Sequence, residues 1–242
     1  MAASHELLVF IPAWNEEENL PSVLAELAAD LPEADVLVVD DGSTDRTGQV
    51  GREGGAALVS FPGNRGLKVG IAAGWRYAAE HGYELAGRVD ADGQHPVAEL
   101  TRLLALVRED ACDVAVGSRF VSGEGYEPYR YRPDHARRFG TALLRRALRL
   151  PLGKRFGDAT SGMYAANARA LLLLAEPYES GAPEVEALMR LADSGLRVEE
   201  VAVNMRERTS GESKLRGKKA FTLVVTVIGA LVTGAVAARR RR

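Results

Sequence analysis

The chain has one cysteine, Cys112, in 242 residues. A single thiol excludes an internal disulfide framework and suits a reducing compartment. It precedes the apolar run DVAVGS, where an inert buried thiol is expected. The opening MAASHELLVF lacks the basic start and long apolar run of a secretory signal. No internal repeat and no low-complexity tract is present, so neither a repeat array nor a biased-composition tail is expected. No glycine-rich phosphate loop follows the first apolar run. IPAWNEEEN stands in its place, which argues against a nucleotidyltransferase on a similar sheet.

What is present is ordinary for a globular protein with a real core: 46% hydrophobic and 26% charged residues, enough for one large domain with or without an appendage. The net charge of −2 hides an asymmetry. Arg206 to Arg242 holds 10 Lys/Arg against 2 Asp/Glu, and Arg119 to Arg155 holds 10 against 3. Such islands suit a phosphate-bearing substrate or an anionic membrane surface; a solvated Arg-rich helix is the alternative. Phe221 to Ala238 is an 18-residue stretch without charge, flanked by Lys218, Lys219 and four terminal arginines. It is near the lower limit for a spanning helix and offers only Thr222, Thr226 and Thr233 as a polar face, so membrane contact, spanning or interfacial, is expected there.

Apolar runs alternate with helical periodicity. ELLVFIPA, DVLVVDD, ALVSF, LAGRVDAD and DVAVGSRF read as strands. Between them, Leu20, Val23, Leu24, Leu27 and Leu31, then LKVGIAAGWRYAAEHG and HPVAELTRLLALVRED, read as helices. Ser43 or Thr44 is placed to cap the helix after the second strand. Further on, DHARRFGTALLRRALRL reads as a helix, DATSGMYAANA as an edge strand or loop, PEVEALMRLADSGL as a helix and RVEEVAVNMRER as a strand. Strands without polar alternation, separated by helices, predict a mostly parallel α/β sheet with helices on both faces. In such sheets ligands bind at the carboxyl ends of the strands. Those ends carry Pro12–Asn15, Asp40–Ser43, Asp90–Gln94 and Ser118–Arg119.

Two of these clusters are acidic pairs. Where the chain turns at a strand end, Asp90 and Asp92 can converge on one hard cation, with Gln94 adding an oxygen; His95 belongs mainly to the turn. Asp40 and Asp41 can accept hydrogen bonds from a nucleoside or cap the next helix, a role Ser43 or Asp45 could fill more cheaply. Lys68 lies beside glycines that let a backbone approach a ligand, or is simply solvated.

Together, VFIPAWNEEENL, VVDDGSTDRT, NRGLKVGIAAGW and VDADGQHP resemble the family-2 glycosyltransferases of the GT-A fold. VGSRF, DATSGMYAANA, PEVEALMRLADSGLRVEEVAV and RERTSGESK are similar to the later blocks of the polyprenyl-phosphate sugar transferases. The resemblance implies a Rossmann-like GT-A domain over residues 1–216 and a basic, apolar C-terminal helix over 217–242. It places Pro12, Trp14 and Glu16 at the nucleotide and Asp41 at its base or ribose. Lys68 and Asp90 fall near the donor, and Asp90, Asp92 and Gln94 around Mg²⁺ or Mn²⁺. Arg119, Arg137, Arg138, Arg208, Ser213 and Lys214 would meet the acceptor phosphate or leaving diphosphate. Trp14 stands where the family most often has Tyr, and Leu67, Lys68 and Val69 separate two glycines that are usually closer.

The activity so implied is metal-dependent, inverting transfer of a sugar from a GDP- or UDP-sugar to a polyprenyl phosphate at the cytoplasmic face of a membrane, with a homo-oligomer possible and no nucleic-acid partner. A family-2 enzyme acting on a glycan or small-molecule hydroxyl would need a carboxylate base, and Glu186 or Glu184 stands in the block that supplies one. A non-catalytic nucleotide-sugar binder is the third reading.

Overall fold

The computed structural model describes residues 5–123, 126 and 156–206. The expected helices over 134–150 and 217–242 lie outside them, as do the two-domain division and the tail's membrane contact. Among the described residues no helix is long and apolar enough to cross a membrane.

Seven strands form one sheet: β1 (Leu7–Ala13), β2 (Asp35–Asp40), β3 (Ala57–Ser60), β4 (Leu85–Arg88), β5 (Val114–Ser118), β6 (Tyr164–Asn167) and β7 (Val198–Ala202). Their order is β3-β2-β1-β4-β6-β5-β7. All pairings are parallel except the two made by β6. The helices are α1 (Leu20–Asp30), α2 (Thr47–Glu53), α3 (Leu67–Glu80), α4 (Val97–Arg108), α5 (Ala168–Leu174) and α6 (Pro183–Asp193).

The unbroken apolar text of β1 is explained by burial on both faces. Leu8 and Phe10 join the core beneath α3, α5 and α6, while Leu7, Val9 and Ile11 join the core beneath α1 and α4. On the first face Trp75 meets Phe10 edge to face at 4.7 Å. Cys112 is fully buried, as its neighbours suggested.

Two expectations need correction. The stretch DATSGMYAANA supplies β6, which is neither an edge nor a loop but an interior antiparallel strand between β4 and β5. Its small residues hide it, because Ala165 and Ala166 are fully buried without looking like a hydrophobic run. Nor does Ser43 or Thr44 cap α2. Asp45 accepts the Thr47 N–H at 2.9 Å, and Ser43 Oγ accepts instead from the Asn15 N–H at 3.0 Å. Helix α5 was not foreshadowed; it is short and capped by the Asn167 side chain.

At the edge of the sheet opposite the strand-end clusters, buried Asp113 joins three elements. Its carboxylate accepts from Asn167 Nδ2 (2.9 Å), Arg169 Nη1 (3.2 Å), and the Arg197 N–H (2.8 Å) and Nε (3.2 Å). Burial alone would raise the Asp113 pKa, but the Arg197 amide and guanidinium and the Asn167 amide outweigh it and hold the pKa at about 2. A depressed carboxylate contributes stability that is present above its unfolded pKa and lost as pH falls through the folded one. Asp113→Asn is therefore expected to cost on the order of 2 kcal/mol at neutral pH. In thermal melts from pH 7 to 2, the gap to wild type should narrow below about pH 4.

Candidate active site

The turns after β1 and β2 are stitched together by side chains. Asn15, in the left-handed region at φ 54°, accepts the Thr44 N–H on its Oδ1 at 2.9 Å. The Glu16 N–H donates to Thr47 Oγ1 at 2.9 Å. Gly42 has φ +67°, and a Cβ there would lie 2.3 Å from the Gly63 carbonyl carbon, so only glycine fits. Asp41 is buried and accepts the Arg65 and Gly66 N–H groups at 2.7 and 2.8 Å. One strand-end carboxylate thus fixes the entry to α3. Pro12 is buried below this rim, Trp14 stands 37% exposed on it, and the Glu16 carboxylate accepts from Asn19 Nδ2.

The turn after β4 closes on itself. His95 is buried, and its Nδ1 lies 3.0 Å from the Asp90 N–H, which donates to it. Burial lowers the His95 pKa, so the ring accepts this bond in its neutral form. Gly93 takes φ +72°, and the Gln94 N–H donates to Asp92 Oδ1 at 3.1 Å. From outside, the Arg206 N–H donates to the Gln94 carbonyl at 3.0 Å. The Arg206 guanidinium grips Glu26, which also accepts the Val97 N–H that opens α4. Asp90, Asp92 and Gln94 therefore lie on one braced turn.

Two arginines flank it. Arg88, 2% exposed, donates through Nη2 to Asp90 Oδ1 at 3.0 Å and through Nη1 and Nη2 to Glu184 Oε1 at 3.2 Å each. Burial works against the Arg88 charge, and the two carboxylates more than reverse that. Burial likewise pushes Asp90 upward, but Arg88, joined by Arg119, outweighs it and keeps Asp90 below its ordinary value. Arg119 is held by buried Asp158 through Nε–Oδ2 at 2.7 Å and Nη2–Oδ1 at 2.9 Å, a two-point grip that fixes the guanidinium plane. Asp158 is placed in turn by Glu200 of β7, whose carboxylate accepts the Gly157 and Asp158 N–H groups.

Of the residues singled out in the sequence, Asp90, Asp92, Gln94 and Arg119 come together. Lys68 and Glu186 are engaged elsewhere. Lys68 Nζ donates to the Glu179 carbonyl at 2.9 Å, tying α3 to the loop before α6. Glu186 accepts the Glu179 and Ser180 N–H groups and pairs with Arg190. Arg137, Arg138, Arg208, Ser213 and Lys214 lie outside the described residues. The sequence reading missed Arg88, Asp158 and Glu200 as site builders. An arginine inside the apolar run LAGRVD was the available signal, since arginine is rarely fully buried unless paired.

Gly162 was missed too. A Cβ there would stand 2.4 Å from Asp90 Oδ2 and 2.9 Å from His95 Cε1, so β6 approaches this turn only because residue 162 has no side chain.

The model for glycosyl transferase family 2 matches residues 8–170. The undecaprenyl-phosphate mannosyltransferase of Micrococcus luteus is 34% identical, over 91% of this chain and 92% of that protein. The polyprenol monophosphomannose synthase of Mycolicibacterium smegmatis is 33% identical, over 87% and 81% respectively. Among solved structures, glucosyl-3-phosphoglycerate synthase from Mycobacterium tuberculosis, crystallised with Mg²⁺ and UDP, superimposes with a TM-score of 0.69 at 22% identity, covering 95% of this chain and 79% of that one. That likeness establishes the GT-A fold that the motif resemblance implied.

Gly162→Ala should displace the Asp90 carboxylate. A loss of glycosyl transfer greater than about tenfold is expected, equivalent to more than about 1.4 kcal/mol in the barrier. Steady-state rates beside a thermal melt would separate this from unfolding.

Proposed function

The chain belongs to glycosyltransferase family 2 and is a glycosyltransferase, and from that premise we propose that it moves a sugar, with inversion, from a nucleotide-sugar to a polyprenyl phosphate. The observation that carries this reading is the pairing at the sheet edge of an acidic turn with a fixed arginine. Asp90, Asp92 and Gln94 suit the donor diphosphate through a cation, and Arg119 suits a phosphate anion directly. The names of the two relatives support the lipid acceptor, as do the basic islands at 119–155 and 206–242.

The donor set fits a divalent ion. Carboxylate and amide oxygens are the ligands Mg²⁺ and Mn²⁺ prefer. Among the described residues no three His, Cys, Asp or Glu side chains form a group that could hold an ion alone, so Asp90, Asp92 and Gln94 would share it with substrate oxygens. When bound, the ion supplies neutralising charge on the departing nucleotide diphosphate.

The chain's own residues do the rest. Trp14 offers an aromatic face to the nucleoside and Asp41, rigid on its two backbone donors, presents its free lone pairs there. Arg119, held flat by Asp158, orients the incoming phosphate, whose oxygen bonds to the anomeric carbon as the bond to the diphosphate oxygen breaks. A phosphate is already an anion at neutral pH, so no strong base is required. Glu186 suits that: burial would raise its pKa, but the Ser180 and Glu179 amides and Arg190 outweigh burial and hold it low, which makes a weak base. Residues 217–242 would keep the enzyme at the cytoplasmic face of the membrane, where each basic residue contributes about 1 kcal/mol.

The test uses the full chain with GDP- and UDP-sugars, Mg²⁺ or Mn²⁺, and a polyprenyl phosphate. Metal-dependent formation of a lipid-phosphate sugar is expected, reduced at least about a hundredfold in Asp92→Ala. Donor turnover with no lipid product would overturn the acceptor and favour a hydroxyl substrate. Transfer by Asp92→Ala at the wild-type rate would remove the turn from the reaction.

A further inference from the structure

We infer that Arg88, locked from behind by Glu184, is the residue that positions Asp90 for the donor. The inference rests on the reading of the Asp90–Gln94 turn given above and deepens it.

The geometry divides the oxygens of Asp90. Oδ1 takes the Arg88 Nη2 bond at 3.0 Å, while Oδ2 lies on the side facing Gly162, where a Cβ would come within 2.4 Å. Oδ1 is anchored by Arg88 and Oδ2 stands against Gly162, which holds the carboxylate, still 33% exposed, in one orientation. Glu184 fixes the anchor: it stands in the first turn of α6, where a helix favours a carboxylate, and a single oxygen accepts from both Arg88 nitrogens. The same helix start is tied to α3 through Lys68 and Glu179. Movement of α6 would therefore be felt at Asp90 through one guanidinium.

Stability does not account for this arrangement. Among the described residues neither Arg88 Nε nor the buried Tyr164 hydroxyl has a hydrogen-bond partner, and both residues line one small cavity with Trp75 and Tyr178. A buried donor left unsatisfied keeps its desolvation penalty without return. Buried ion pairs are often replaced by apolar side chains of similar volume without loss of stability. A cluster that carries an orphan donor and still places a carboxylate at the strand end is explained by the carboxylate's position.

That argument sets the experiment. Full-length wild type, R88M, E184Q, the apolar pair R88M/E184L and D90N are compared by thermal melting and by Mn²⁺ electron paramagnetic resonance with GDP and, in parallel, UDP. The apolar pair is expected to melt within a few degrees of wild type yet bind the Mn²⁺–nucleotide at least about tenfold more weakly, as D90N does. E184Q keeps an acceptor for Arg88 and should fold even if the pair does not; a loss of about threefold or more is expected there. Wild-type binding by the apolar pair or by E184Q, with D90N impaired, overturns the positioning role and leaves the donor reading intact. Wild-type binding by D90N overturns the donor reading itself, and the inference with it.

Discussion

Asp90 must remain ionised, and in one orientation, at a strand end with a second carboxylate two residues on. Much of the sheet edge follows from that constraint. Burial alone would drive the proton back onto it, so the chain places a fully buried arginine two residues before it on the same strand. The guanidinium needs a second carboxylate behind it, which helix α6 supplies as Glu184. The backbone of the turn is closed by His95, and the strand that packs over it arrives with glycine at the point of contact. Local sequence, helix placement and the antiparallel insertion of β6 therefore serve one carboxylate.

The cationic side of the site is built by a separate relay. Glu200 of β7 holds the Gly157–Asp158 backbone, and Asp158 holds Arg119 flat. The two halves approach through space, since the Arg119 charge contributes to keeping Asp90 ionised. An acidic turn repels a diphosphate unless a cation lies between them, whereas a fixed arginine attracts a phosphate without one. Under the proposed function, opposite signs on neighbouring rigid supports would give two anionic substrates separate places to sit.

Much of this was legible in the sequence because its signals are local. Strands buried on both faces lack polar alternation, and Leu7–Ala13, Asp35–Asp40 and Val114–Ser118 stand where that pattern put them. The four polar strand ends were legible for the same reason, as was the placing of Asp90, Asp92 and Gln94 on one turn. What was not legible depends on pairing across long separations. Strand β6 is mostly alanine and owes its central position to its neighbours. Arg88 looks like an interruption of a strand until Glu184, 96 residues on, is seen against it. Glu200 acts on backbone N–H groups, which leave no residue pattern, and Asp158 grips Arg119 from 39 residues away. Lys68 and Glu186 lie near the right motifs, but Lys68 is drawn to the Glu179 carbonyl across the fold and Glu186 to the backbone just before its own helix.

The central claim is that one braced turn presents Asp90, Asp92 and Gln94 to the donor diphosphate while Arg119 faces the acceptor side. A crystal structure of the full chain with Mg²⁺ and its nucleotide diphosphate tests it most directly. The account predicts an ion about 2.1 Å from oxygens of this turn and of the diphosphate, with the Arg88–Asp90 and Arg119–Asp158 contacts retained. A diphosphate bound away from the turn, or an ion that ligates none of its oxygens, would contradict it.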